Sequence, residues 1–287
     1  MRRLAALCAV LLLAFPARAE PALWRADSPT ARVYLFGTMH ILPKAADWFG
    51  PKITAAFKES GALWEEADIG LHDPQLMARV MAEGTAPDYN LWSALSDADA
   101  AKLRGALHRC GLDAAIVTHQ RPWMATNVVG ICQIIAAAGG KLGPMSDNPE
   151  AVLLARAKAH NKSLGYFETA EQQIGYMESA SPAAQLGQLR QAIEEAATSE
   201  TEYVKTETAW LNGDVAAIAA SIAPARSEDK AFYETIFTQR NRRFAARIAE
   251  MLKGHGTVFV AIGAGHLAGP DSVIAMLGEQ GIEVRRQ

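Results

Sequence analysis

Short apolar runs, each followed by a turn or a glycine, predict the strands of this chain. Residues 22–25 and 32–36 are two such runs, and the turn formers Asp-Ser-Pro-Thr at 27–30 indicate a hairpin between them. Further strands are predicted at 62–66, 163–168, 257–262 and 282–285. Most of these runs are apolar rather than alternating with polar residues, which indicates a sheet covered on both faces.

Between the strands, apolar residues recur at three- and four-residue intervals, the pattern of amphipathic helices. Helices are predicted at about 45–60, 148–160 and 270–279, through 74–139, and through 182–251 with breaks at 212–214 and around Pro224. Thr169 and Gln172 fit a capping box that opens another helix. The expected fold class is therefore α/β: a central β-sheet flanked by helices, with a large helical cap or insertion.

The N-terminus has the layout of a secretory signal. Two arginines precede an apolar run from Leu4 to Phe15, and a small-x-small triplet at 17–19 predicts cleavage after Ala19. The run is shorter than the roughly 20 apolar residues that a membrane span needs, and no later stretch is long and apolar enough. We therefore expect export, to a bacterial periplasm, without stable membrane insertion after cleavage, and one domain over residues 20–287.

The net charge of the chain after removal of the signal narrows the class of partner. Removal of Arg2, Arg3 and Arg18 with the signal reduces the 28 basic residues to 25, against 31 acidic ones, for a net charge near −6. This balance argues against a nucleic-acid partner or an anionic membrane surface.

Two cysteines remain, Cys110 and Cys132, on two consecutive predicted helices. A disulfide between them and two buried thiols are both compatible with the sequence.

Four side chains that could carry chemistry follow predicted strands: His40, Glu66, Glu168 and His266. In open α/β sheets such strand ends gather at one crevice. Two imidazoles and a carboxylate are a common ligand set for a catalytic divalent metal that keeps a position open for water. Glu65, next to Glu66, points to the opposite face of the strand, so only one of the two can reach this crevice.

The histidines share a Gly-x-x-His spacing, which by itself is a weak signal. It occurs at Gly37 with His40 and at Gly263 with His266, but it recurs at His108 inside a predicted helix. The strand-end context distinguishes the first two. The sequence contains no Gly-x-Ser-x-Gly elbow, no His-Glu-x-x-His helix and no phosphate-binding glycine loop.

The chain also contains, in this order, the segments LFGTMHILP, ALWEEAD, LGYFETAEQQ, QRN and VAIGAGHLAG. Together they resemble the TraB/GumN family, which is related to the Tiki metalloproteases. The similarity runs from about Leu23 to the C-terminus. It implies a central sheet flanked by helices, and it prefers Glu66 over Glu65 because Glu66-Ala67-Asp68 matches the family's Glu-x-Asp pattern.

The resemblance also implies roles for individual residues. The family's two Gly-x-x-His motifs fall on Gly37 with His40 and on Gly263 with His266, and Gly265 is a further glycine of the motif backbone. Its other motif residues fall on Glu66, Glu168, Thr169, Gln173, Arg240 and Asn241. His40, Glu66 and His266 are expected to bind a divalent metal (Mn, Co or Zn). Glu168 is expected to act as general base. Arg240 is expected to pair with a site carboxylate or to stabilise an oxyanion, and Asn241 to donate a hydrogen bond.

The implied activity is metal-dependent hydrolysis of a peptide or another small substrate with a related amide bond. Two alternatives stay open. One is a non-catalytic periplasmic protein that binds a peptide, a glycan fragment or haem. The other is a metal-independent, esterase-like hydrolase in which His40 is the general base and Glu66 orients it. The sequence leaves the oligomeric state undetermined.

Overall fold

The computed structural model describes residues 19–42, 46–68, 74–137, 139, 147–196 and 199–287. The predicted export signal falls almost wholly on residues 1–18, outside these ranges. Within them, six strands are found: β1 (Leu23–Asp27), β2 (Ala31–Thr38), β3 (Ala62–Ala67), β4 (Ser163–Glu168), β5 (Gly256–Gly263) and β6 (Val284–Arg286). They form a sheet in the order β4-β3-β5-β2-β1-β6.

The centre of the sheet is parallel. Strand β5 lies between β2 and β3, so that Phe259 is opposite both Tyr34 and Leu63, and β4 continues the sheet parallel to β3. Strand β1 is antiparallel to β2, as the predicted hairpin requires, and to β6. Because β2, β3, β4 and β5 run in one direction, the loops that follow them lie along one edge of the sheet.

Helices lie on both faces of this sheet, which confirms the predicted α/β class. They are α1 (Pro51–Glu59), α2 (Pro74–Gly84), α3 (Leu91–Ala94), α4 (Asp97–Arg109), α5 (Pro122–Ala137), α6 (Pro149–Ala159), α7 (Ala170–Glu178), α8 (Pro182–Ala196), α9 (Ser199–Leu211), α10 (Val215–Glu228), α11 (Lys230–Tyr233), α12 (Gln239–Lys253) and α13 (Val273–Glu279). Short 3₁₀ turns follow α4 and β5.

Alternate residues of the central strands divide the core into two apolar clusters. Phe36 and Phe259 pack on one face with residues of α1, α6, α9 and α10. Leu35 and Val260 pack on the other face with residues of α12 and α13. Burial of such side chains on both faces is the main favourable contribution to folding, so the central strands are apolar throughout.

A third apolar cluster belongs to the helices between β3 and β5. Leu107 of α4, Val129 of α5 and Leu189 of α8 are fully buried against one another. Cys110 ends α4 and forms a disulfide with Cys132 of α5, which decides the question that the sequence left open. These helices form the expected helical part beside the sheet.

Several element boundaries differ from the predictions. Helix α1 begins at Pro51 rather than near residue 45, because proline suits the first turn of a helix and not its interior. Helix α13 begins at Val273 rather than at 270, because the Ser272 hydroxyl accepts from the Ala275 N–H and so caps the N-terminus of the helix. The predicted break at Pro224 is wrong, since α10 continues through it. Proline removes one backbone donor there, and the surrounding alanine-rich turns favour the helix.

The close packing of β4 on β3 gives a stability prediction. A Cβ at Gly165 would overlap the indole of Trp64, whereas a Cβ at Gly187, on the exposed side of α8, would meet nothing. We expect Gly165→Ala to lower the free energy of unfolding by about 1–3 kcal/mol. Gly187→Ala should raise it by about 0.5–1 kcal/mol. Urea unfolding followed by circular dichroism measures both, and equal effects of the two substitutions would contradict the packing described.

Candidate functional site

The predicted site residues lie along the edge of the sheet where the parallel strands end. His40 follows β2, Glu66 is in β3, Glu168 is the last residue of β4, and His266 is in the 3₁₀ turn after β5. Glu66, Glu168 and His266 are buried there. The first turn of α12 carries Arg240 to the same place. The topology thus brings together residues that are more than two hundred positions apart, from His40 to His266.

Arg240 is at the centre of this cluster. Its Nε donates to both oxygens of Glu168 at 3.1 and 3.0 Å, and its Nη2 donates to Glu168 Oε2 at 2.8 Å and to Glu66 Oε2 at 2.5 Å. The Glu66 oxygen also accepts from Gln173 Nε2 at 3.1 Å. Two buried carboxylates therefore share the positive charge of one buried guanidinium.

His266 is held as a neutral ring with a defined tautomer. Asn241 Nδ2 donates to the carbonyl of Asp271 at 2.7 Å, so its Oδ1, 2.6 Å from His266 Nδ1, accepts from the ring. The lone pair of His266 is consequently on Nε2, which accepts from Arg240 Nη1 at 3.1 Å. Burial lowers the pKa of His266 to about 4, so the ring is uncharged at neutral pH.

Glu66 stays ionised although it is buried. Burial by itself raises the pKa of this carboxyl group, but the nearby His266, His40 and Arg240, together with the Gly263 N–H, lower it to about 2. Gly263 N–H donates to Glu66 Oε1 at 2.6 Å, and the same oxygen lies 3.6 Å from His266 Nε2. Glu66 is therefore an anion between a backbone donor, a guanidinium and an imidazole.

His40 is at the open side of the cluster, with 65% of its side chain exposed against 6% for His266. Its Nδ1 lies 2.7 Å from Oε1 of Glu150, in the first turn of α6. Desolvation by the surrounding protein atoms lowers the pKa of His40, but the Glu150 carboxylate outweighs this effect and raises the pKa to about 9. Glu150 is not predicted from the sequence, because nothing in its local pattern distinguishes it from an ordinary acidic residue in the first turn of a helix.

Helices outside the sheet hold the segment that carries His40. Trp210 Nε1 of α9 donates to the carbonyl of Gly37 at 2.7 Å. The hydroxyl of Tyr203, also on α9, donates to the carbonyl of Ile41. The position of His40 thus depends on α6 and α9 as well as on β2.

The three motif glycines are each at a close approach. A Cβ at Gly37 would lie 2.9 Å from Cα of Ala264. Position 37 must therefore be glycine for β2 to pack this closely against the turn that bears His266. A Cβ at Gly265 would lie 3.0 Å from the ring of Phe237. A Cβ at Gly263 would lie 3.2 Å from Glu66 Oε1 and 3.3 Å from His40 Nε2. Gly263 therefore marks the point at which these two side chains face each other.

Glu168 is enclosed by cations. Its side chain is 1% exposed, and Arg243 Nη2 donates to Oε1 at 3.1 Å in addition to the contacts from Arg240. Arg243 also donates to the hydroxyl of Tyr176 at 2.8 Å. These contacts favour a role in anchoring Arg240, and the assignment of Glu168 as general base stays a prediction. Arg243 was missed because the sequence RNRRFAAR is typical of a solvated basic face, and Tyr176, on α7, was not singled out from the sequence.

The structure distinguishes Glu65 from its neighbour. Glu65 is buried and, as the neighbour of Glu66 in β3, points to the opposite face of the strand. Among the described residues its Oε1 has no hydrogen-bond partner. Burial raises its pKa to about 8, so it is largely protonated at neutral pH. Glu66 is the residue that contacts Arg240 and Gly263.

The donors present fit a divalent metal in their chemistry. Both histidines direct Nδ1 to an oxygen acceptor, on Glu150 and Asn241, as metal-binding histidines usually do. Their Nε2 atoms then lie near Glu66 Oε1, at 3.6 Å for His266 and across Gly263 for His40. Within the described ranges, no three His, Cys, Asp or Glu side chains are already arranged as a ligand group, and Arg240 Nη1 contacts His266 Nε2.

Fold and site together define a helix-flanked α/β protein with a histidine, carboxylate and arginine cluster at the carboxyl edge of its parallel strands. A sequence profile of the TraB/PrgY/gumN family matches residues 22–286, a range that contains every residue of the cluster. The chain belongs to this family. No curated protein and no solved structure matches it.

The buried ion pairs predict a large stability effect at Arg240. Arg240→Met leaves Glu66 and Glu168 buried without their main cation and should lower the free energy of unfolding by about 3–5 kcal/mol. Arg242, on the same helix, is 61% exposed and pairs with Glu234 at the surface. Arg242→Met should stay within about 1 kcal/mol of the wild type. Urea unfolding of chelator-treated protein gives both values, and similar losses would contradict the central position of Arg240.

The pKa of His266 predicts how stability depends on pH. In the unfolded chain this histidine takes up a proton below about pH 6.5, whereas in the folded, metal-free protein it does so only near pH 4. Between these values the unfolded state binds more protons, so stability falls as the pH falls. His266→Gln should remove part of that decline. Chemical unfolding at several pH values between 6.5 and 4 tests this, and identical pH profiles would refute it.

Proposed function

We propose that this protein is a metal-dependent hydrolase that acts on peptide or related amide bonds. The observation that carries the proposal is the orientation of His40 and His266. Both rings use Nδ1 for an oxygen acceptor and leave Nε2 close to the ionised Glu66. Membership of the TraB/PrgY/gumN family and the resemblance of its motifs to those of the Tiki metalloproteases support hydrolysis of amides.

In this proposal His40, Glu66 and His266 hold the ion, with Mn, Co and Zn as the candidates. A divalent ion so held lowers the pKa of a bound water and polarises a substrate carbonyl. Glu150 and Asn241 fix the two imidazole rings, as the oxygen acceptors of metal-binding histidines do.

Arg240 provides positive charge beside the reacting carbonyl, where it stabilises the negative charge that develops on the oxygen. Glu168 holds the guanidinium in place through three hydrogen bonds. The general-base role expected of Glu168 would require it to exchange one of these contacts for a water molecule.

We also propose that the protein is exported, to a bacterial periplasm. The N-terminal pattern supports export, and the Cys110–Cys132 disulfide is typical of an oxidising compartment. No helix in the described part of the chain is both long and apolar enough to cross a membrane.

A metal-independent hydrolase is the second candidate. The specific observation in its favour is the pair formed by His40 and Glu150, 2.7 Å apart, since a carboxylate that orients an imidazole is the usual support of a general base. In this candidate Glu150, and not Glu66, is the residue that orients His40. Activity that resists chelators and still requires both His40 and Glu150 would favour it.

Metal analysis tests the leading proposal. We expect purified protein, prepared without chelator or nickel resin, to contain about one ion per chain after each candidate metal is offered. His40→Ala/His266→Ala should contain none, whereas His108→Ala/His160→Ala, which removes two exposed histidines, should match the wild type. Binding at pH 7 should also release a proton, because the pKa of His40 is raised to about 9 in the metal-free site.

Elemental analysis and titration calorimetry in two buffers measure metal content and proton release. Failure of the wild type to bind any of the three metals sinks the metal proposal. If metal is bound, cleavage of a peptide library by the wild type, and not by the His40→Ala/His266→Ala variant, then tests hydrolysis.

A further inference from the structure

Arg240 contacts two of the three residues proposed to hold the metal, and this arrangement has a consequence for loading the site. We infer that Arg240 is the resident cation of the metal-free site, and that it releases His266 when a divalent ion binds while it remains held by Glu168. The inference rests on the proposed metal site and assigns Arg240 a role in how that site is filled.

Arg240 and a metal ion cannot both bind His266, because they need the same nitrogen atom of its ring. An imidazole nitrogen in the plane of the ring has a single lone pair. Because Asn241 fixes the proton of His266 on Nδ1, that lone pair is on Nε2, where it accepts from Arg240 Nη1 at 3.1 Å. A metal ion needs the same lone pair, so the hydrogen bond and the coordinate bond cannot exist together.

Electrostatic repulsion between the ion and the guanidinium also favours the release of His266 by Arg240. Arg240 is buried, with only 8% of its side chain exposed, and its Nη2 is 2.5 Å from Glu66 Oε2. A divalent ion beside Glu66 and His266 places two more positive charges next to the guanidinium, with little water to screen the repulsion. The ion therefore replaces the guanidinium as the main counterion of Glu66.

Glu168 explains why Arg240 stays buried after the exchange. It accepts three hydrogen bonds from Nε and Nη2 of Arg240, and it is held in turn by Arg243. The guanidinium thus keeps a full counterion when it leaves His266. The Nη1 N–H that faced His266 then becomes available as a donor to a substrate carbonyl oxygen, while Nη1 keeps its contact of 3.2 Å to the carbonyl of Ile236. Loading the metal thus also prepares Arg240 to stabilise negative charge.

Loss of Arg240 should change the affinity for metal in the opposite direction from the loss of an ordinary residue that supports a metal ligand. Loss of a residue that orients a metal ligand usually weakens binding by about 10–100-fold. If Arg240 competes for His266, Arg240→Met should instead bind Zn²⁺ about tenfold more tightly than the wild type, because the competing donor and its positive charge are both gone. Arg243→Met is the matched control, since Arg243 contacts Glu168 but neither Glu66 nor His266.

Competition titration with a chromophoric chelator measures the affinity of all three proteins for Zn²⁺. Tighter binding by Arg240→Met, with Arg243→Met close to the wild type, supports the inference. Weaker or equal binding by Arg240→Met overturns it and leaves the proposed metal site standing. If neither the wild type nor Arg240→Met binds Zn²⁺, Mn²⁺ or Co²⁺, the metal site and the inference fall together.

Two further measurements apply if Arg240→Met does not fold. Arg240→Met/Glu168→Gln removes both members of the ion pair and is compared with Glu168→Gln alone, with the same expected gain in affinity. A structure of the metal-loaded wild type gives a readout without substitution. It should show Arg240 Nη1 beyond hydrogen-bond distance of His266 Nε2, more than about 3.5 Å, with the contacts to Glu168 retained. A contact to His266 that persists beside a bound ion overturns the inference.

Discussion

The structure depends most on one buried positive charge. The guanidinium of Arg240 joins β3 through Glu66, β4 through Glu168 and the turn after β5 through His266. Charges removed from water are costly unless each is paired and hydrogen-bonded. The ends of these strands and the start of α12 are therefore constrained together, because separating β3 or β4 from α12 deprives a buried carboxylate of the Arg240 guanidinium.

The apolar core determines where that charge lies. Arg240 begins a stripe on α12 that continues through Phe244 and Ile248, at four-residue intervals, and the latter two pack on the sheet. The core fixes the rotation of the helix about its axis, and this rotation turns Arg240 toward the strand ends. The same core brings β2 so close to the turn at Ala264 that Gly37 has no room for a side chain. Packing and chemistry are thus specified by the same contacts.

Much of this arrangement could be predicted from local pattern. The strands are apolar and short, so their existence and the strand-end position of His40, Glu66 and His266 follow from the sequence. The capping box at Thr169 and Gln172 is present as predicted. Arg240 required the family resemblance, although its four-residue spacing to Phe244 and Ile248 indicates that it lies on the buried face of α12.

Other features depend on contacts that no local pattern contains. Glu150 meets His40 only because α6 lies over the loop after β2, 110 positions away along the chain. The partners of Glu168 depend likewise on how α12 is turned against β4. The errors at residue 45 and at Pro224 concern helix ends and continuity, which local propensity specifies weakly because tertiary packing can override it.

The disulfide-linked helices have their own apolar cluster, separate from the two clusters of the sheet. The bond between Cys110 and Cys132 ties α4 to α5 independently of the residues that pack between them. Substitutions in these helices consequently act on a cross-linked body that shares few buried side chains with the edge of the sheet that carries the candidate site. This division leaves the helical part of the molecule open to evolutionary change in the surfaces that it presents, while the residues at the strand ends remain fixed by charge and close packing.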